Sequence, residues 1–116
     1  MAKLILTHDG VNLRDYLLNK ERVTIGRSPK CDIQLDDSAI SSEHAVIDRV
    51  ESAYLDDHFD FHIEDLKSTN GTRVNKVGID RHLLKQGDVI QVGKHKLLFD
   101  TGQGDMEETA IYLPDN

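Results

Sequence analysis

Apolar and polar residues alternate in short segments along most of this chain. In the clearest segment, 59–63, Phe59, Phe61 and Ile63 share one side of an extended backbone. Residues 11–18 alternate in the same way. A period of two is typical of a half-buried β-strand, whereas an amphipathic helix repeats about every 3.6 residues. We therefore predict strands in both segments and expect the face that carries the two phenylalanines to point into a core.

Further short apolar segments are separated by residues that favour turns, and no stretch has the spacing of an amphipathic helix. The pattern predicts an all-β fold, a two-sheet antiparallel β-sandwich of about ten to eleven short strands. Gly78 and Gly87-Asp88 are predicted turns, and the pair Leu83 and Leu84 is expected to close one end of the core. The remaining predicted strands are Lys3–Thr7, Val23–Ile25, Ile33–Leu35, Ala45–Ile47, Thr72–Asn75, Val89–Val92 and His95–Phe99.

The composition describes a small acidic protein with room for one core. The chain has 116 residues and a formal net charge of −7, and residues 101–116 contain four acidic and no basic side chains. We predict one domain over residues 1–100 and a flexible acidic tail over residues 101–116. Because the domain lacks a basic excess, it is a poor candidate for nucleic-acid binding.

Cysteine usage and hydropathy bear on location. Cys31 is the single cysteine, which excludes an intramolecular disulfide and favours a reducing compartment. The N-terminus has no signal pattern, and no apolar run approaches the roughly 18 residues of a membrane-spanning helix. We therefore expect a cytoplasmic protein without a membrane partner.

Three polar motifs lie where predicted strands meet loops. They supply a guanidinium, several hydroxyls, a side-chain amide and loop N–H groups. A guanidinium can donate parallel hydrogen bonds to phosphate oxygens, and successive loop N–H groups can form a concavity that binds anions. The motifs therefore predict a phosphate-binding site. They are Gly26-Arg27-Ser28, Ser41-Ser42-Glu43-His44 and Ser68-Thr69-Asn70-Gly71-Thr72.

With these motifs in this order, the chain resembles the forkhead-associated (FHA) domain over about residues 3–100. The resemblance implies a β-sandwich with its binding loops at one end. It also implies a non-catalytic adaptor that uses no cofactor and recognises phosphothreonine in proteins acting downstream of Ser/Thr kinases.

The resemblance assigns roles to five residues of the predicted site. Arg27 and Ser41 correspond to residues that bind the phosphate. Ser42 stands where many members carry a longer donor such as Arg or Asn. Thr69 corresponds to the threonine that helps to hold the phosphorylated residue, and Asn70 to the asparagine that bonds the peptide backbone beside it.

Three further residues of the motifs are expected to be structural. Gly26 would let the backbone turn so that the next residue faces the ligand, His44 would brace the loops, and Gly71 would occupy a tight turn. The resemblance also implies a specificity pocket for the third residue after phosphothreonine, and residues 75–82 are our candidates for it.

Enzymatic readings find little support in the sequence. His44 has no accompanying nucleophile, and no glycine-rich nucleotide-binding loop is present. His58, Asp60 and His62 alternate on one strand face and offer a conceivable metal site. A solvated face opposite the phenylalanines explains the same pattern, so we predict neither a metal nor an enzyme.

Two other hypotheses concern partners. The same sandwich could act in phosphate-independent dimerisation or scaffolding. Thr109, preceded by acidic and followed by apolar residues, is a candidate phosphorylation site. Once phosphorylated, it would occupy the predicted site of its own chain or of a second copy, at a high effective concentration.

Overall fold

The computed structural model describes residues 2–52 and 58–102. These residues form eleven β-strands and no helix. The strands are β1 (Lys3–His8), β2 (Val11–Leu17), β3 (Arg22–Gly26), β4 (Ile33–Gln34), β5 (Ala45–Glu51), β6 (Phe59–Asp65), β7 (Thr72–Val74), β8 (Val77–Ile79), β9 (Arg81–Leu83), β10 (Val89–Val92) and β11 (His95–Asp100).

The strands form two sheets. One has six strands in the order β2-β1-β11-β10-β7-β8, and the other has five in the order β4-β3-β5-β6-β9. Neighbours pair antiparallel, apart from the short parallel pair of β3 and β4 among the described strands. The predicted two-sheet β-sandwich is confirmed.

Alternation along the strands separates a buried face from a solvent face. In the six-stranded sheet, Val74, Ile90, Leu97 and Leu6 form one row across four strands. Val74 is 3% exposed and the next two are fully buried, so this row faces the other sheet. The adjacent row therefore faces solvent, and it contains Arg73, Gln91, Lys96 and Thr7.

The core is built from branched aliphatic side chains of both sheets, together with the buried phenyl ring of Phe99. Its largest buried members include Phe99, Leu4, Leu18, Ile25, Ile33, Ile40, Ile47, Ile63, Ile90 and Leu97. Ile40 belongs to a loop and not to a strand. Its burial fixes the loop that carries the second polar motif against the sandwich.

Three local predictions are corrected by the structure. Phe59 is 47% exposed, because it is the first residue of β6 and lies away from the buried Ile63. The Arg49 guanidinium lies 4.7 Å from the centre of its ring. Only Leu84 of the leucine pair is buried, since its neighbour Leu83 is 41% exposed at the end of the edge strand β9. Gly78 lies inside β8.

The β7–β8 turn is formed by Asn75 and Lys76 instead. Their φ angles are 52° and 72°, and a two-residue turn with positive φ at both positions matches the twist of a β-hairpin.

Four loops meet at one end of the sandwich. The β3–β4 loop contacts the β4–β5 loop, because the Arg27 N–H donates to the Ser41 carbonyl at 3.0 Å. The β6–β7 loop contacts the same serine, because the Thr69 N–H donates to Ser41 Oγ, also at 3.0 Å. The β10–β11 turn approaches through Lys94 N–H, 3.5 Å from the Asp37 carboxylate. All three polar motifs therefore converge at this end.

Candidate functional site

Gly26 is required by a close approach between two backbone segments. After β3 ends, N–H groups of Arg27 and Ser28 continue to bond the carbonyls of Ser41 and Ser42, at 3.0 and 3.2 Å. A Cβ at Gly26 would lie 2.2 Å from the Ser42 carbonyl oxygen. Its φ is not positive, so the glycine provides space and not the special turn that we expected.

The Arg27 side chain is exposed but held in place. Its Nε donates to the Ile40 carbonyl at 3.0 Å, and Ile40 is itself buried. This bond uses only one of the guanidinium's donor positions. Within the described part of the chain, the terminal nitrogens have no acceptor, so they can form the forked pair of bonds that a phosphate accepts.

Ser41 lies where the second and third motifs meet. Its Oγ accepts the Thr69 N–H at 3.0 Å. An oxygen that accepts in this way keeps its own hydrogen available for donation. Ser41 is the residue after Ile40, whose carbonyl accepts the bond from Arg27. The Ser41 hydroxyl and the Arg27 guanidinium therefore belong to the same end of the sandwich.

His44 connects the loops from inside. It is fully buried, its Nδ1 accepts the Ser41 N–H at 3.1 Å, and its Nε2 lies 2.8 Å from the Gly71 carbonyl. A ring that accepts at Nδ1 and donates at Nε2 is the neutral Nε2–H tautomer, which we assign from these two contacts. With its imidazole occupied in this way, His44 has a structural role in the site.

Asp65 anchors the third motif and was missed by the sequence analysis. Its carboxylate accepts the hydroxyls of Ser68 and Thr72 at 2.6 and 2.7 Å and the Ser68 N–H at 3.1 Å. Ser68 Oγ then accepts the N–H of Gly71, whose φ is 84°. An aspartate three residues before a serine can cap a turn in this way, a pattern visible in the sequence.

These bonds predict an acid-sensitive turn. Burial raises the pKa of Asp65, but the bonds from Ser68 and Thr72 outweigh burial, so its pKa lies below the ordinary 3.8. A carboxylate whose pKa is lowered in the folded state stabilises the fold at pH values above its ordinary pKa. This contribution is lost as the pH falls through the folded-state pKa.

Asp65→Asn should therefore melt at a lower temperature than wild type at about pH 7, and the difference should shrink below about pH 4. Thermal melts across this range measure the effect. Asp9→Asn, at an exposed turn position, makes the same charge change as a control. Parallel curves for wild type and Asp65→Asn at all pH values would contradict the assignment.

Asn70 lies between Thr69 and a cavity. Its Nδ2 donates to the Ala39 carbonyl at 2.8 Å, which leaves its Oδ1 available as an acceptor. A cavity of about 340 Å³ begins beside it, and Arg73 and Lys94 are among the lining residues. Residues 75–82, our candidates for a specificity pocket, contribute nothing to this lining.

Ser42 completes the group. Its side chain is exposed, and its carbonyl accepts Ser28 N–H and, at 3.2 Å, the Cys31 thiol. Burial raises the pKa of that thiol, which favours its neutral, donating form. The structure thus brings Arg27, Ser41, Ser42, Thr69 and Asn70 to one end of the molecule, whereas Thr109 lies outside the described residues.

The alternating His58, Asp60 and His62 do not form a metal centre in the structure. Within residues 2–52 and 58–102, no group of three or more histidine, cysteine, aspartate or glutamate side chains is arranged to hold a metal ion. The same part of the chain contains no helix long and apolar enough to cross a membrane.

Comparisons with known proteins identify the family of this chain. The family model of the FHA domain matches residues 23–93. The glycogen accumulation regulator GarA of Mycolicibacterium smegmatis is 39% identical over 87 residues, which are 75% of this chain and 51% of that protein. The oxoglutarate dehydrogenase inhibitor of Corynebacterium diphtheriae is 37% identical over the same share of this chain and 56% of its own.

A solved structure from a study of phosphothreonine-dependent FHA domain interactions superposes with a TM-score of 0.71 and 30% identity, covering 86% of this chain and 95% of that one. This chain belongs to the FHA domain family, and the resemblance found in its motifs is confirmed. It spans about half the length of the curated relatives GarA and the inhibitor.

Proposed function

We propose that this chain is a non-catalytic module that binds phosphothreonine in proteins and acts as an adaptor downstream of Ser/Thr kinases. One observation carries the proposal. Arg27 is exposed, its guanidinium is held by the Ile40 carbonyl at 3.0 Å, and its terminal nitrogens have no acceptor within the described residues. Ser41 directly follows Ile40 in the chain, and its hydroxyl accepts the Thr69 N–H and keeps its own hydrogen for donation.

Binding would proceed by charge-assisted capture. A phosphate on threonine carries about −1.5 to −2 charges at neutral pH. The Arg27 fork and the Ser41 hydroxyl donate to its oxygens, and Ser42 adds a second hydroxyl. Asn70 then sets the register of the bound peptide, because its Oδ1 can accept a backbone N–H beside the phosphorylated residue.

The names of the relatives support a regulatory role. One is called a glycogen accumulation regulator and another an inhibitor of oxoglutarate dehydrogenase. By analogy, the partner of this chain would be a protein whose activity changes on binding. We place the protein in the cytoplasm, where Ser/Thr kinases and their substrates are available.

The direct test is fluorescence anisotropy of the full chain against degenerate peptide sets with phosphothreonine, phosphoserine or unphosphorylated threonine. We expect measurable binding to phosphothreonine, binding to phosphoserine weaker by about tenfold or more for the missing methyl group, and none without phosphate. Equal binding of all three sets would contradict the proposal.

Thr109→Ala protein should be measured in parallel. If a phosphorylated Thr109 fills the site in the purified chain, as we also propose, only this variant binds added peptide. Failure of both proteins to bind any phosphothreonine set rejects phosphothreonine recognition.

A second candidate function is phosphate-independent association. Val11, Leu13 and Leu17 are 58%, 59% and 54% exposed on β2, an edge strand of its sheet. Exposed apolar edge strands favour pairing with another chain. Such binding would not involve Arg27, so a partner that uses this edge should bind the Arg27→Ala variant as it binds wild type.

A further inference from the structure

The cavity beside Asn70 continues the proposed phosphate site in one direction. Asn70 and Gly71 line it, and both follow Thr69, whose N–H is bonded to Ser41. Neither Arg27 nor Ser41 belongs to its lining. A peptide whose phosphate lay on those two residues would enter this cavity with the residues on one side of its phosphothreonine.

The free charges in this cavity are positive. Arg73 and Lys94 line it, and both are exposed. Neither side chain forms a salt bridge within the part of the chain that the structure describes. Both cations therefore lie outside the salt bridges of the described residues, although Lys94 is close enough to Asp37 to interact with its charge.

Asp37 is the one carboxylate among the lining residues, and it is already engaged. It accepts the Ala39 N–H at 2.9 Å and the Lys94 N–H at 3.5 Å. The His95 ring lies 3.7 Å away, and only 9% of the Asp37 side chain is exposed. Its bonds hold the β10–β11 turn against the β4–β5 loop. Its single negative charge faces the two positive charges of Arg73 and Lys94, so the lining keeps a net positive charge.

A further cation, Lys96, lies beyond the cavity in the same row of the six-stranded sheet as Arg73. Arg73 is opposite Gln91, Gln91 is opposite Lys96, and Lys96 is opposite Thr7. On its other side, Arg73 is opposite Gly78, which has no side chain. Arg73, Lys94 and Lys96 thus form a cationic strip, and its row across the sheet contains no acidic residue.

The dimensions of the strip suit a short extended segment. Neighbouring strands lie about 4.8 Å apart, so Arg73 and Lys96 are about 10 Å apart across the sheet. An extended peptide covers that distance in about three residues. A flanking segment of about three extended residues is therefore long enough to span the strip.

We infer that this site selects phosphothreonine peptides that carry anionic side chains on one side of the phosphothreonine, in contact with the Arg73, Lys94 and Lys96 strip. The inference rests on the proposed function. Carboxylates of aspartate or glutamate and a second phosphate present the same chemistry to these cations, and Arg73 can bind either in a forked geometry.

The test compares phosphothreonine peptides of equal length by fluorescence anisotropy with the 116-residue chain at about 0.15 M salt, where exposed charges are screened beyond about 8 Å. One peptide has neutral flanks, one has glutamates before the phosphothreonine, and one has them after it. A fourth replaces one glutamate of the preferred flank by phosphoserine, which distinguishes the two sources of negative charge.

We expect glutamates on one flank to tighten binding about tenfold over neutral flanks, and glutamates on the other flank to have little effect. Arg73→Gln combined with Lys94→Gln should remove the preference while retaining binding of the neutral peptide. Replacing both residues by glutamate should instead favour a flank of lysines.

Arg22→Gln combined with Lys85→Gln is the matched control, because it removes one arginine and one lysine charge outside the strip, in β3 of the five-stranded sheet and before β10. This control should keep the preference. Equal tightening by both flanks, or a preference that survives Arg73→Gln with Lys94→Gln, overturns the inference. If no peptide binds this chain or its Thr109→Ala variant, the proposed function fails; if all peptides bind equally, only this inference fails.

Discussion

Arg27→Ala is expected to weaken binding of a phosphothreonine peptide by at least about a hundredfold. The change removes two charge-assisted hydrogen bonds, each contributing about 1.5 kcal/mol or more, and a tenfold change in affinity corresponds to about 1.4 kcal/mol. Arg27→Lys should retain part of the affinity, because it keeps the charge and loses the forked geometry. Peptide titration by anisotropy or calorimetry measures all three proteins.

Arg22→Ala is the matched control for this prediction. Arg22 begins β3, whereas Arg27 directly follows its last residue. Its guanidinium pairs with Asp48 at 3.0 Å on the surface, and such pairs contribute little to stability. The control should bind the peptide as wild type does. An Arg27→Ala protein that remains folded and binds within about threefold of wild type would show that the phosphate lies elsewhere.

His44→Ala is expected to destabilise the fold by about 3 kcal/mol. The imidazole is fully buried and bonded to Ser41 N–H and the Gly71 carbonyl. Removing it leaves both partners unsatisfied, at about 1 to 3 kcal/mol each, and also opens a cavity. For a domain of this size, that loss lowers the melting temperature by about 12 °C or more.

Thermal or denaturant unfolding measures this effect, and His8→Ala serves as the control because the His8 side chain is 76% exposed. Peptide affinity of His44→Ala should also fall at temperatures where it is folded, since Ser41 and Gly71 belong to the two loops that the imidazole joins. A melting temperature within about 2 °C of wild type would contradict the bracing role.

The local sequence predicted the strands because most of them present one face to the core. The β6 pattern placed Ile63 in the core correctly and Phe59 incorrectly. Alternation reports which residues share a face, but it does not report where along the strand the opposite sheet ends. The same limit explains Leu83 and Leu84, which are adjacent in sequence and differ in burial.

The sequence by itself determined the all-β class and the order of the three motifs, and it supplied the prediction that Arg27 is the cation for a phosphate. These properties depend on local periodicity and on residue chemistry, which can be read along the chain. The resemblance to the FHA domain rests on the same local motifs.

Only the tertiary structure decided how the site is supported. Three contacts involve residues far apart in sequence. The Ser42 carbonyl lies against Gly26, the Ile40 carbonyl accepts a bond from Arg27, and the cations Arg73 and Lys94 line the cavity beside Asn70. Such contacts depend on strand register and on how four loops pack at one end of the sandwich. Register is set by the burial of whole faces, so no single motif in the sequence encodes these contacts.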